Sequence, residues 1–167
     1  MARKKLLAIR IILIILTLSV MAVIFILSAD NAAESDAKSE IFSDSLTYKI
    51  LEIFSLSEEQ IQQVIKLSVV IVRKAAHFTE YAALGFLLSS VCMSFYVKLK
   101  LLIPISFLTG SLYAVSDEIH QYFVPGRSCQ LSDMILDSSG VLAGILFLLI
   151  LVSVFRFIQK RREPDLT

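Results

Sequence analysis

The sequence lacks the features that are typical of nucleic-acid-binding proteins. Lysine and arginine total 16 residues against 15 aspartate and glutamate residues, so the net charge is only +1. There is no dense basic patch with interleaved aromatic residues, which argues against a nucleic-acid partner. The net charge therefore does not favour any particular kind of partner.

Cysteine, glycine and proline are also scarce, with two, five and three residues respectively. Cys92 falls deep in a hydrophobic run and Cys129 in a predicted loop, so we expect the two thiols to lie at different depths and to stay unpaired. No internal repeat is apparent, and the length of 167 residues suits one domain covering residues 1–167.

What the sequence does contain is mainly apolar. Hydrophobic residues make up 56% of the chain, and the mean hydropathy of +0.76 is far above that of ordinary soluble proteins. Four runs, at about residues 6–27, 75–97, 101–122 and 134–157, each approach the roughly 20 residues that a membrane-spanning helix needs. The sequence therefore predicts an all-α membrane protein with four transmembrane helices. The first run is too long for a signal peptide, so we expect a retained anchor.

The distribution of charge predicts the orientation in the plasma membrane. If the N-terminus is cytoplasmic, ten of the sixteen basic residues lie in inner segments or at inner helix ends, against only two acids. An excess of lysine and arginine on the cytoplasmic side is the usual pattern for multi-pass proteins. Both termini are therefore expected to be cytoplasmic.

The long segment between the first two runs, about residues 28–72, is predicted to be extracytoplasmic and to contain one or two amphipathic helices. Apolar residues recur in it at helical spacing. Those of the first helix are Ile41, Phe42, Leu46, Ile50, Ile53 and Phe54. The second helix is expected to begin with a capping box over Ser57 to Gln60 and to carry Ile61, Val64, Ile65 and Val69. Such helices suit a membrane surface or a lid, or simply a cover for the bundle.

Polar residues interrupt the second, third and fourth runs, and they carry the functional signal. A charge within the hydrocarbon costs at least about 2.5 kcal/mol by insertion scales, so it is rarely present without a reason. The candidate catalytic residues, with no role assigned to each, are His77, Glu80, Asp117, Glu118, His120, Asp133 and Asp137. The candidate ligand-binding residues are Arg73, Gln121 and Arg127.

The predicted topology brings these residues to one depth, in the outer leaflet. Helical phase supports a common site: at about 100° per residue, Arg73, His77 and Glu80 fall within an arc of about 60°. On the third helix Asp117, His120 and Gln121 are predicted to share a face that Ser106, Gly110 and Tyr113 extend inward. On the fourth helix a shared face carries Asp133, Asp137, Gly140 and Gly144. Small residues at this spacing allow close helix packing, so the polar faces are expected to point into the bundle.

Several chemistries are open to such a set. Histidine beside carboxylates can act in general acid–base catalysis, and the same donors can hold a divalent metal ion. Arg73 and Arg127 can grip a phosphate or carboxylate at two points. Each residue also has a purely structural interpretation: Arg73–Glu80 or Arg127–Asp133 pairs can simply hold helices together. Lys74 is interpreted as an anchor that reaches for the lipid head groups.

Three ordered blocks of sequence resemble the VanZ-like family of small bacterial membrane proteins. They are Arg73-Lys74-x-x-His77-Phe78-x-Glu80-Tyr81-x-x-Leu84-Gly85, Ser116-Asp117-Glu118-x-His120-Gln121-x-Phe123-x-Pro125-Gly126-Arg127 and Asp133-x-x-x-Asp137-x-x-Gly140-x-x-x-Gly144. A weaker match is Leu27-Ser28-Ala29-Asp30. The family is named for a protein linked to low-level teicoplanin resistance, so the resemblance implies a membrane protein of the cell envelope, without implying a reaction.

The leading hypothesis is a membrane protein that acts on, or binds, an anionic lipid or a lipid-linked envelope precursor. In a catalytic version His77 or His120 is the base, Asp117 or Asp133 orients it or ligates a metal, and Arg127 holds the anion. The alternatives are a non-catalytic protein that shields or sequesters a surface ligand, and a small transporter. The transporter ranks lower because no acidic, basic or histidine residue lies from Tyr81 to Val97 or from Leu102 to Ser116.

Overall fold

The chain folds into a bundle of long helices, seen here in a computed structural model that describes residues 2–31, 33–41 and 57–162. The helices are α1 (Ala2–Ser28), α2 (Glu58–Ser94), α3 (Leu99–Tyr122) and α4 (Leu131–Arg162). Residues 33–41 are also helical, and these described ranges contain no strand. The predicted all-α class is confirmed.

Three of the four predicted spans are long and apolar enough to cross a membrane. They are Arg3–Ser28 in α1, Leu99–Tyr122 in α3 and Leu131–Arg161 in α4. The predicted second span, residues 75–97, lies in α2, which ends at Ser94 rather than at residue 97. This part of α2 also carries His77 and Glu80, which make it less apolar than the others.

Helix α2 is longer than either element predicted within it. The predicted capping box is present: the Ser57 hydroxyl accepts from the Gln60 N–H, and the Gln60 side chain accepts from the Ser57 N–H at 3.0 Å. From there the helix continues without a break for 37 residues, about 55 Å, so the second amphipathic helix is not a separate element. Of the first predicted amphipathic helix, only Ile41 lies within the described residues, at the end of helical segment 33–41.

Glycines bring α2 and α4 into very close contact. A Cβ atom at Gly144 would overlap the backbone of Ala82, and one at Gly140 would overlap the Phe78 carbonyl. Reciprocally, a Cβ at Gly85 would overlap the backbone of Val141. The predicted packing role of Gly140 and Gly144 is thereby confirmed. Around this contact lies the buried core, which consists of Ile24, Tyr81, Leu84, Leu102, Ala114, Val141 and Ile145.

Helix α1 is attached to the bundle by polar contacts along its length. At one end the Arg10 guanidinium donates to the Ser94 carbonyl, at 2.9 and 3.1 Å. In the middle the Tyr113 hydroxyl donates to the carbonyl of Met21 at 2.6 Å. At the other end Ser28 contacts α3, next to the polar residues described below. The two cysteines are free, as predicted.

Candidate functional site

Seven of the ten candidate residues surround one small cavity between α2, α3 and α4. The cavity is lined by Arg73, Lys74, His77, Glu118, Gln121, Arg127, Asp133, Leu136 and Asp137. Its volume is about 10 Å³, close to the minimum that holds one water molecule. The polar faces of the three helices therefore meet within the bundle, at the end where α3 finishes and α4 begins.

Two buried carboxylates and a histidine form the centre of this cluster. Asp137 is 0% exposed and Asp117 is 2% exposed. One ligand atom from each of His77, Asp117 and Asp137 lies within 4.8 Å of the other two. Each residue comes from a different helix, so the trio exists only in the packed bundle.

The hydrogen bonds of these two carboxylates are incomplete. Asp117 Oδ2 accepts from the Ser28 hydroxyl at 2.9 Å and from Gln121 Nε2 at 3.3 Å. Asp117 Oδ1 has no partner among the described residues, and the same holds for both oxygens of Asp137. Unpaired buried carboxylate oxygens are costly, so their presence marks a place where a ligand, a water or a proton is expected.

Glu118 is almost completely buried as well, but its carboxylate has a backbone partner. Its Oε2 accepts from the backbone N–H of Gln130 at 2.9 Å. Gln130 immediately precedes α4, so Glu118 fixes the connection between α3 and α4. This contact holds the start of α4 beside the cavity, which is a positioning role.

A larger pocket of about 210 Å³ opens beside the small cavity. It is lined by Leu27, Asp30, Ser35, Lys38, Ser39, Val72, Arg73, Ala76, His77, Glu80 and Arg127. Arg73, His77 and Arg127 line both spaces, so they form the boundary between them. The candidate Glu80 belongs to this large pocket and does not line the small cavity.

The two arginines at this boundary are only partly neutralised by their neighbours. Arg73 pairs with Asp36 at 2.7 Å, and Arg127 Nε donates to the carbonyl of Asp30 at 3.4 Å. Burial lowers the pKa of Arg127, and the charge of Arg73 lowers it further, whereas Asp36 and Asp30 raise it. The guanidiniums are thus electrostatic neighbours, and an anion between them would relieve their repulsion.

The structure places His120 away from the other candidates. Its ring stacks on Phe25 of α1, with 4.4 Å between the ring centroids. It lines neither the small cavity nor the large pocket, whereas its neighbours Asp117 and Gln121 are in the cluster. On a helix His120 lies about 100° from Gln121, and the docking of α1 turns that side of α3 toward Phe25.

Lys74 has a partner within the cluster, which differs from its interpretation as a head-group anchor. Its ammonium lies 2.5 Å from Asp133 Oδ1, which joins α2 to α4. The suggested structural pairs Arg73–Glu80 and Arg127–Asp133 are replaced by Arg73–Asp36 and Lys74–Asp133. The partners are 37 and 59 residues apart in sequence, beyond what spacing within one helix predicts.

A double-mutant cycle on Lys74→Met and Asp133→Asn is expected to give a coupling energy of about 0.5–1 kcal/mol. Both side chains are partly exposed, so the pair is worth little more than a surface ion pair. Thermal unfolding in detergent gives the stability of the wild type, the two single variants and the double variant. Strictly additive effects of the two substitutions, with no coupling energy, would show that Lys74 is only an anchor.

Sequence reasoning missed Ser28, which is almost completely buried and donates to Asp117. The available signal was its place at the end of the first apolar run, in the weakly matching stretch Leu27-Ser28-Ala29-Asp30. Asp36 was missed because it lies in the helical segment 33–41, for which the sequence does not indicate which face contacts α2.

Comparison with known families supports the resemblance. The family model described as VanZ/LLP1 matches residues 13–153, most of the chain and all ten candidate residues. This chain belongs to the VanZ/LLP1 family. No curated protein and no solved structure matches it. It is thus a VanZ-like membrane protein whose polar cluster falls within the matched residues.

Proposed function

We propose that this VanZ-like protein crosses the plasma membrane four times, with both termini in the cytoplasm. The span that is added to those in α1, α3 and α4 is the part of α2 from Ala75 to Ser94. Support comes from the core, where Tyr81 and Leu84 of α2 are as buried as Ile24 of α1 and Val141 of α4. The positive-inside distribution then puts the small cavity and the large pocket in the outer leaflet.

We further propose that the large pocket binds the head group of an anionic lipid or a lipid-linked envelope component. The observation that carries this proposal is the joint presence of Arg73 and Arg127 at one end of a pocket with apolar walls. Arginine binds phosphate and carboxylate groups through two parallel hydrogen bonds. Leu27, Val72 and Ala76 suit the first carbons of an acyl or polyprenyl chain. Such a ligand is amphiphilic, as the pocket is.

The residues at the boundary also suit proton transfer to or from a bound head group. His77 reaches both spaces, and Glu80 lines the pocket on the same helix. In a metal-free catalytic version His77 is the base, since His120 lies elsewhere, and Arg127 holds the anion. In the alternative version the same contacts only shield or sequester the ligand. Either version places the protein where it can influence teicoplanin susceptibility, because glycopeptides act on envelope precursors outside the membrane.

Lipid binding by the purified protein tests the proposal. Phosphatidylglycerol, a polyprenyl phosphate and phosphatidylcholine are titrated separately onto the protein in detergent, and the complexes are counted by native mass spectrometry. We expect Arg127→Gln and Arg73→Gln each to weaken binding of an anionic lipid by about 10- to 100-fold, since a hydrogen bond to a charged group contributes about 1.5–3 kcal/mol. Arg156→Gln removes the same charge from an exposed site at the far end of α4 and should have no effect.

The outcomes separate the possibilities. Preference for one of the two anionic lipids identifies the source of the phosphate. New product masses after incubation indicate catalysis, whereas bound but unchanged lipid indicates sequestration. Equal binding of phosphatidylcholine, or equal binding by all three arginine variants, would exclude the large pocket as an anionic-lipid site.

A further inference from the structure

The unpaired oxygens of Asp117 and Asp137 point to a positively charged ligand. Asp137 has two carboxylate oxygens without a partner among the described residues, and Asp117 has one. Both residues are more than nine-tenths buried. In such surroundings a carboxylate is stable only when it is protonated, paired with a cation, or bound to a metal.

Among the described residues, none of the nearby cationic side chains donates a hydrogen bond to Asp117 or Asp137. Lys74 is paired with Asp133 and Arg73 with Asp36. Arg127 donates through Nε to the backbone of Asp30. None of the ion pairs in the described part of the chain includes Asp117 or Asp137. A further positive charge would therefore be needed to balance the two central carboxylates.

We propose that His77, Asp117 and Asp137 bind one divalent transition metal ion, of the zinc or manganese class. Their ligand atoms all lie within 4.8 Å of one another. Ligands of a tetrahedral zinc ion are about 3.3 Å apart, so closing around the ion requires side-chain shifts on the order of 1 Å. One imidazole with two carboxylates favours zinc, manganese or ferrous iron over magnesium and calcium, which prefer oxygen-only sets.

The surrounding hydrogen bonds fit a metal ligand at Asp117. Ser28 and Gln121 both donate to Oδ2, which leaves Oδ1 free for the ion. Such outer contacts orient a ligating carboxylate and hold it in place before the metal binds. Ser28 thereby acquires a role as a positioning residue, because it links the end of α1 to the ligand set.

Three protein ligands leave at least one coordination position for another group. The small cavity beside Asp137 and His77 has room for one water molecule. His77 also borders the large pocket, so an oxygen of a head group bound there lies near the same position. A metal would supply Lewis acidity to that oxygen or lower the pKa of a bound water. Metal binding itself does not depend on the lipid assignment.

Metal analysis of the purified protein tests the site without any lipid. The protein carries a tag without histidine, is equilibrated with equal concentrations of zinc, manganese and magnesium ions, and is separated from free metal before elemental mass spectrometry. We expect about one zinc or manganese ion per chain. Replacing an outer contact of a metal ligand already costs about 10- to 100-fold in affinity, so His77→Gln and Asp137→Asn should each lose at least this much.

His120→Gln is the matched control, because it removes the only other histidine of the chain from a position that stacks on Phe25. It should keep the metal. Thermal unfolding followed by circular dichroism supplies a second measurement: a chelator should lower the midpoint of the wild type and of His120→Gln, but not that of His77→Gln.

Either of two metal measurements would overturn the site. One is a wild-type protein without metal above the blank. The other is an equal metal content in His77→Gln and His120→Gln. A rise in stability of Asp137→Asn, with no effect of chelator on the wild type, would indicate a protonated carboxyl group instead. Lipid binding in a metal-free protein would separate failure of this site from failure of the lipid proposal.

Discussion

Gly144→Ala is expected to lower the stability of the bundle even though alanine is the better helix former. In an ordinary helix this change contributes about 1 kcal/mol in favour of folding. Here the new Cβ would overlap the backbone of Ala82 and Phe86, which cannot turn away as a side chain would. Overpacking of a tight contact costs about 1–3 kcal/mol or more. Gly144→Leu should prevent the α2–α4 contact altogether.

The same substitution should also damage the polar cluster. Helix α2 carries His77 and α4 carries Asp137, so a separation of the helices moves these two residues apart. We therefore expect Gly144→Ala to reduce the proposed metal and lipid binding together with stability, although Gly144 lines neither proposed site. Ser139→Ala, at an exposed position on the same helix, is the control and should leave all three unchanged.

Stability can be followed through a cysteine, since the chain has no tryptophan. In a Cys129→Ser background the half-buried Cys92 is the remaining thiol, and its reaction with a thiol-specific dye on heating reports the loss of packing. An unchanged midpoint for Gly144→Ala would show that α2 and α4 are not in the close contact described here.

Arg10→Leu is expected to release the N-terminal half of α1. Its guanidinium donates twice to the Ser94 carbonyl, the last of α2, and lies 4.3 Å from the centroid of the Phe95 ring. Hydrogen bonds to a charged group contribute about 1.5–3 kcal/mol, and a cation over an aromatic ring adds about 0.5–1 kcal/mol. A positive charge at the C-terminus of a helix is favourable as well.

Leucine would remove these contacts, which weakens the docking of α1. It would also make α1 more apolar, which favours insertion of this helix into the membrane. We expect a lower unfolding midpoint and faster dye labelling of Cys92, which lies two residues before Ser94. Arg10→Lys keeps the charge without the paired donors, so its unfolding midpoint and labelling rate should fall between those of the wild type and Arg10→Leu. Arg3→Leu, at an exposed position of α1, should resemble the wild type. Unchanged labelling in Arg10→Leu would mean that the apolar contacts alone hold α1.

The distinction between the two histidines shows how far sequence reasoning reaches. Both lie beside carboxylates in apolar helices, and periodicity places each on a polar face. Within one helix the spacing fixes the angle between two side chains, and this correctly grouped Asp117 with Gln121. It does not fix how the helix is turned toward its neighbours. The docking of α1 decides that His120 meets Phe25 while His77 meets Asp117 and Asp137.

The extent of α2 could not be predicted for a related reason. The capping box at Ser57 gave its start, because the signal is local and needs only four residues. The polar residues from Arg73 to Glu80 suggested a boundary between a surface helix and a span. In the structure Arg73 pairs with Asp36 and Lys74 with Asp133, and the helix continues past these residues.

The sequence by itself determined the class of protein, a membrane protein made of helices. In a membrane the backbone polar groups of a long apolar run are satisfied within a helix. The small residues of α4 also fixed which of its faces is packed. Only the tertiary structure decided the partners: Ser28 with Asp117, Lys74 with Asp133, and none among the described residues for the two oxygens of Asp137. These contacts join residues far apart in the chain, and they depend on how each helix is rotated in the bundle, which no spacing within one helix encodes.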